Sequence, residues 1–191
     1  MRKSGKTYPA ESYTRKECLA MLEAMGERPV GLRNKVLTAL MWRSGLRLAE
    51  ALALVPDNID RDSLTIRILH GKGDKARTVA MDRQTLMLID DWMDVRPEGA
   101  DHPLICTMKG EDVEQAYVRL MYPRIAKKAG VTKRVHAHGF RHTFAVELAR
   151  ANVPMAHIQR LLGHSSLATT AIYLASLSPE EALDSVRSRT W

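Results

Sequence analysis

Only two cysteines occur among 191 residues, Cys18 and Cys106, and they lie far apart. That excludes a disulfide framework and leaves no paired thiolates for a zinc knuckle. Aromatic residues are scarce at 5%. Apolar runs are short: Ala51 to Val55 is one of the longest, far below the length of a bilayer span. Met1-Arg2-Lys3 is followed by polar residues, without the apolar stretch of a signal peptide. These absences lead us to expect a soluble, cytoplasmic protein with no membrane partner. Repeats, low-complexity tracts and linkers are also lacking. The 45% hydrophobic and 27% charged content is that of a globular chain, neither disordered nor collagen-like. The length corresponds to one domain, or two very small ones.

The most informative absence is local. From Gln115 to Val146 there is no Asp or Glu, yet Arg119, Arg124, Lys127, Lys128, Lys133, Arg134 and Arg141 all fall there, with His136, His138 and His142. The first fifty residues carry ten basic and five acidic side chains, the next fifty seven and nine, and the net charge is +7. A solvated helix face usually explains a basic run. This acid-free stretch is too long for paired surface charges, and favours a polyanionic partner, nucleic acid above all.

The periodicity predicts a mainly α protein with one small antiparallel sheet. Thr14-Arg15-Lys16-Glu17 is a capping box opening a helix to about Met25, with Cys18, Leu19, Leu22 and Met25 on one face. A second helix is expected from about Leu32 to Ser44, with Val36, Leu37, Leu40 and Met41 inward and Gly45 ending it. A short helix from about Leu48 to Leu54 stops before Pro56. Leu64, Ile66 and Ile68 alternate with polar residues as a strand, Gly71-Lys72-Gly73-Asp74 is a turn, and Lys75 to Met81 returns. Thr85 to Val95 is expected to be helical, with Leu86, Ile89 and Met93 buried, and Pro103 to Thr107 to form a third strand. Asp112 is placed to cap a basic helix reaching Ala129, which Pro123 should kink or split. Helices over Gly139–Ala151, Pro154–Leu162 and Leu167–Leu174 complete the pattern. Ser178-Pro179-Glu180-Glu181 starts another.

Taken singly, the candidate functional residues have ordinary explanations. Arg47 can cap helix carbonyls, Lys72 can be a solubilising turn residue, and His164 can answer a helix dipole. Tyr173 can pack at the end of an apolar helix. The Gly-Lys-Gly run lacks the spacing of a phosphate-binding P-loop, and His136, His138 and His142 match no zinc motif, so neither a metal nor another cofactor is expected.

The ordered set is more specific. Ser44-Gly45-Leu46-Arg47-Leu48-Ala49-Glu50, Gly71-Lys72-Gly73-Asp74-Lys75-Ala76-Arg77, His138-Gly139-Phe140-Arg141-His142, Leu161-Leu162-Gly163-His164 and Tyr173 closely resemble the catalytic domain of the tyrosine recombinases, the phage-integrase family. The resemblance covers about Thr14 to Tyr173. It implies the integrase catalytic-domain fold over 14–176, a short extension before it, and a helical tail over 177–191. It also implies cleavage and rejoining of double-stranded DNA through a covalent 3′-phosphotyrosine, without metal or ATP. Carried over position by position, Tyr173 would be the nucleophile, Arg47 and Arg141 phosphate clamps, and Lys72 the acid for the leaving 5′-oxygen. His138 would assist proton transfer, His164 would bond a phosphate oxygen, and Glu50 would support Arg47.

Arg43, Lys75, Arg77, Arg119, Arg124, Lys127, Lys128, Lys133 and Arg134 are expected to contact DNA. Many relatives have an N-terminal clamp domain. About thirteen residues precede Thr14, so that domain is expected to be absent here. The family also assembles as tetramers on DNA, with the tail docking on a neighbour, and in some systems uses accessory DNA-bending proteins. Two other functions fit the same residues: a type IB topoisomerase-like relaxing enzyme, and a non-catalytic DNA-binding regulator.

Such chemistry wants these side chains. A phosphodiester is anionic, so its attack needs charge neutralisation on the non-bridging oxygens, a nucleophile, and a proton for the leaving alkoxide. Arginine stays charged and offers a planar fork of donors. Two arginines and a histidine can supply what a metal ion supplies in many nucleases. Histidine normally titrates near neutrality and suits a base for tyrosine, whose own pKa of about 10 is too high.

Overall fold

The computed structural model describes residues 12–69, 76–99 and 103–164. Residues 70–75, with Lys72 and Lys75, and everything from residue 165 on, including Tyr173 and the tail, lie outside the described residues.

Helix α1 (Arg15–Met25) begins at the expected capping box: Thr14 Oγ1 accepts from Glu17 N, and a Glu17 carboxylate oxygen accepts from Thr14 N at 2.7 Å. Its buried residues are Cys18 and Met21, while Leu19 is half exposed. Leu22 and Met25 pack partly buried against the same core as expected, and Met21 takes the place expected for Leu19, because α2 and α5 both pack on α1. Helix α2 (Pro29–Arg43) starts earlier than predicted, with Pro29 in the first turn, where its missing N–H costs nothing. It is the axis of the domain and touches α1, α3 (Leu48–Leu52), α4 (Arg83–Met93) and α6 (Ala137–Arg150). Val36, Leu37, Leu40 and Met41 are fully buried, as predicted. Thr38 is buried as well, its hydroxyl bonding the Asn34 carbonyl at 2.8 Å and the Tyr122 hydroxyl at 3.0 Å.

The sheet has the expected antiparallel pair, β2 (Thr65–Ile68) and β3 (Arg77–Ala80), with Ile66 opposite Val79 and Ile68 opposite Arg77. Its third strand is not Pro103–Thr107 but β1 (Ile59–Asp60), which pairs with β2. Near Pro103 the backbone makes an isolated bridge, Cys106 to Asp112, with bonds from Leu104 N to Leu54 O and from Thr107 N to Glu111 O. Leu64, expected within a strand, has φ 52° and belongs to the turn before β2. In α4, Asp82 caps Thr85 N, and Thr85, Ile89 and Trp92 face the core, with Leu86 and Met93 partly buried.

Helix α5 (Gln115–Lys128) runs through Pro123 without splitting. The proline lies on the exposed face, where water can satisfy the Arg119 carbonyl deprived of its helical donor. Asp112 does not cap α5: Glu114 occupies the cap position without a side-chain bond. Helix α6 is capped by His136, whose Nδ1 accepts from Gly139 N at 3.1 Å. Helix α7 (Met155–Leu162) ends at Gly163 in the left-handed conformation, φ 61°. It rests on α6 through Ala145, Ile158 and Leu162. Among the described residues no helix is long and apolar enough to cross a membrane.

Candidate active site

The α2–α3 junction is sharp because Gly45 takes φ 69°, and Leu46 N then bonds back to Leu40 O. A Cβ at Gly45 would come within 2.5 Å of the Phe144 ring, so close packing on α6 also demands glycine there. This turn delivers Arg47 to the start of α3. Three residues later Glu50 reaches back, and one carboxylate oxygen accepts from Arg47 N at 2.7 Å, one half of a capping box. The other accepts from Arg47 Nη1, also at 2.7 Å.

Glu50 does more than support Arg47. Its side chain is 4% exposed and meets three guanidinium groups. Arg77 donates from Nη1 and Nη2 to the two carboxylate oxygens, both at 2.8 Å, as a parallel fork. Arg141 Nη1 stands 3.8 Å away. Burial alone would raise the Glu50 pKa, but the hydrogen bonds from Arg77 and Arg47 outweigh it and bring the carboxyl down to about 2. Glu50 is therefore an anion throughout the physiological range. Three positive charges against one negative leave the cluster at a net charge of +2.

Arg141 lies in the first turns of α6, on the same face as His138, as their spacing predicted. It is 1% exposed, and donates from Nη1 to Gly45 O at 2.5 Å and from Nη2 to Leu162 O. Arg47 Nη2 bonds Gly163 O at 2.9 Å, and Arg77 Nε bonds Leu161 O at 3.3 Å. Three consecutive carbonyls at the α7 terminus, the negative end of the helix, thus each receive one arginine. His164 follows at once, held by a bond from its N to Gln159 O and from Gln159 Nε2 to its own carbonyl. Burial, then the positive charges of Arg141 and Arg47, lowers the His164 pKa to about 4. Burial followed by Arg141, His136 and Arg47 lowers that of His138. Burial, His138 and His136 bring His142 to about 4 inside α6. At neutral pH these rings are uncharged.

Tyr13, which the sequence left unremarkable, braces this region. Its backbone N bonds Thr143 Oγ1 at 2.8 Å, and its hydroxyl accepts from His136 N at 2.9 Å while lying 3.1 Å from His136 O. A Cβ at Gly139 would overlap the Tyr13 ring, so that glycine lets the segment preceding α1 pack on α6.

The structure brings Arg47, Glu50, His138, Arg141 and His164 to one place, whereas Lys72 and Tyr173 are outside the described residues. The expected DNA contacts divide. Arg77 faces Glu50 and is largely enclosed. Arg43 bonds Asp82 at 2.7 Å and Glu147 at 3.3 Å. Lys133 pairs with Glu17 at 3.0 Å, and Lys128 reaches Ala24 O at 2.6 Å, near the end of α1. These four have protein partners because the chain brings acids or carbonyls to them from distant segments. Arg134 is exposed. Arg119, Arg124 and Lys127 lie on the exposed face of α5 with no ion pair among the described residues.

The Phage integrase family model matches residues 11–179. Tyrosine recombinase XerC of Shewanella oneidensis is 34% identical over 155 residues, covering 80% of this chain and 50% of that protein. The crystal structure of XerA recombinase superposes with a TM-score of 0.83 at 25% identity, over 95% of this chain and 66% of that one. XerH site-specific recombinase bound to its difH substrate, in a pre-cleavage complex, gives a TM-score of 0.75 at 29% identity, over 98% and 56%. The chain spans about half the length of the curated relatives it matches. It belongs to the phage integrase family of tyrosine recombinases.

Proposed function

We propose that this chain is the catalytic part of a site-specific recombinase that breaks and rejoins double-stranded DNA through Tyr173. The observation that carries the reading is the arginine cluster of net charge +2 around Glu50, with two neutral histidines beside it, in a chain of this family. A phosphodiester carries one negative charge, and attack by a fifth oxygen creates a second. A fixed +2 site is therefore matched to the transition state more closely than to the ground state.

The tyrosine oxygen forms a bond to phosphorus as the bond to the 5′-oxygen breaks. The Tyr173 proton passes to His138, whose lowered pKa keeps it a free base at neutral pH, and Lys72 protonates the leaving oxygen. Arg47 bonds a non-bridging oxygen, and Arg141, held on the Gly45 and Leu162 carbonyls, fixes positive charge beneath it. His164 bonds a second oxygen. The 3′-phosphotyrosine keeps the energy of the original ester, so attack by a 5′-hydroxyl reseals the strand without ATP.

Arg119, Arg124, Lys127 and Arg134 hold backbone phosphates along the duplex, giving affinity and register. The tail, residues 177–191, docks on a neighbouring copy in a DNA-bound tetramer. A cleft of about 650 Å³ between β3 and α6, floored by Val79, Met81, Phe144 and Val146, is the receiving surface we assign to it.

The test is a plasmid with two copies of a site captured covalently from random-sequence DNA, incubated in EDTA. Recombinant circles are expected. Relaxation without recombinants would favour the topoisomerase-like alternative, and binding without any strand break the regulator. Loss of all activity in EDTA, restored by a divalent metal, would overturn the mechanism.

A further inference from the structure

Resting on the recombinase reading, we propose that Arg77 is a positioning residue that limits how far Glu50 draws on Arg47 and Arg141 and ties β3 to the end of α7. It is not a DNA contact.

The placement follows from strand geometry. Side chains on β3 alternate, so Arg77 shares the inward face of Val79, and Ile68 is its partner on β2. An arginine in that row must find an acceptor inside. Its Nη atoms take both oxygens of Glu50 and its Nε takes the Leu161 carbonyl. The guanidinium also lies within 3.2 Å of where a Cβ at Gly163 would stand, so α7 closes directly over it. Arg77 is therefore the one described β3 side chain bonded to both α3 and α7. Lys72 lies five residues before it in sequence.

The chemical consequence concerns competition. A carboxylate beside a phosphate rivals it for guanidinium donors. Glu50 has Arg47 at 2.7 Å and Arg141 at 3.8 Å, the first the proposed phosphate ligand and the second the fixed charge beneath it. With Arg77 forked onto both carboxylate oxygens, Glu50 takes only the backbone N and Nη1 of Arg47. Without it, Glu50 can take more of the Arg47 donors and draw in Arg141, and the cluster falls from +2 to +1 just where two negative charges develop. Lysine cannot replace this fork, having one point charge in place of a planar pair of donors.

The groups facing Glu50 are Arg47 on α3, Arg77 on β3 and Arg141 on α6. His138 and His164 lie within electrostatic reach of the same arginines. Loss of Arg77 removes the largest of the influences that keep Glu50 ionised, so its titration moves up towards the range where cleavage is assayed.

The experiment measures single-turnover adduct formation on a nicked duplex of the captured sequence, and in parallel the affinity for the same duplex without the nick. The proteins are the unsubstituted chain, Arg77→Lys, Arg77→Gln, Glu50→Gln and the double variant Arg77→Gln/Glu50→Gln. Arg77→Gln should slow the adduct by about 10- to 100-fold, the usual range for a residue acting through an active-site ligand. Its DNA affinity should stay within about twofold, and an acid limb should enter its pH–rate profile that the unsubstituted chain lacks. Arg77→Lys should be intermediate. The double variant should lose little beyond Glu50→Gln alone, because the bond to the Leu161 carbonyl is then all that Arg77 keeps.

If Arg77→Gln folds poorly, the Arg77→Lys rate and pH profile decide the matter. Unchanged adduct rates in the Arg77 variants, affinity falling in step with rate, or multiplicative losses in the double variant would overturn the assignment while the recombinase reading stood. No adduct from the unsubstituted chain on any captured duplex would instead remove the recombinase reading itself.

Discussion

Glu50→Gln exchanges one oxygen for an NH2 group at the centre of three guanidinium groups, and its cost depends on pH in a calculable way. A carboxyl held at about 2, against about 4.5 when unperturbed, is favoured in the folded state by roughly 3 kcal/mol at neutral pH. The side chain is 4% exposed, so solvent screening reduces this little. Leaving a buried charge cluster without its counter-ion costs about 3–5 kcal/mol in comparable cases, and the two figures agree. The folded value lies below the unfolded one, so the stabilisation is complete above about pH 4.5 and is lost as the pH falls towards 2. At pH 3 Glu50 is still ionised in the folded chain but protonated in the unfolded one, and about 2 kcal/mol of its contribution has gone. Glutamine has no such titration. Urea unfolding of both proteins at pH 7 and pH 3 should therefore show a gap of about 3–4 kcal/mol narrowing by about 2 kcal/mol, with other carboxylates cancelling in the difference. A gap independent of pH would refute the view of Glu50 as an ionised hub.

Three further outcomes follow from the same geometry. Gly45→Ala adds a Cβ within 2.5 Å of Phe144 at φ 69°, and should destabilise the chain by about 3 kcal/mol in denaturation experiments. It should also slow cleavage, since the Gly45 carbonyl holds Arg141. Tyr13→Phe keeps the ring against Phe140 but removes the acceptor for His136 N, and should cost about 1–2 kcal/mol by the same measurement. Replacing Arg119, Arg124 or Lys127 with alanine should weaken binding evenly across sequences and flatten the slope of log affinity against log salt by about 1 each, whereas Arg43→Ala should leave that slope unchanged.

Local rules made much of the fold legible. The Thr14 capping box, the inward residues of α2 and the β2–β3 pair each depend on neighbours in sequence, and each is where the sequence put it. Errors arose where distant packing decides. The α1 stripe is set by α2 and α5. β1 is two residues long, too short for any alternation to show. Pro123 is tolerated because its face of α5 meets water. In the site, Arg47, Glu50, His138, Arg141 and His164 were legible only as an ordered set, since none is unusual alone. Arg77 was legible as basic, but not as a partner of Glu50, because a contact between residues 27 apart belongs to tertiary structure. Its one local signal was its position two residues from Val79, on the inward face of a strand. Tyr13 gave no signal, for its bonds run to residues more than 120 positions away.

The central claim is that Tyr173 becomes covalently joined to DNA without a metal. Incubating the chain with the nicked duplex in EDTA, denaturing, digesting with protease and mapping the DNA-linked peptide by mass spectrometry tests it directly. A nucleotide phosphate on Tyr173 is expected, with no adduct from Tyr173→Phe. An adduct on another residue, or one that persists in Tyr173→Phe, would contradict it.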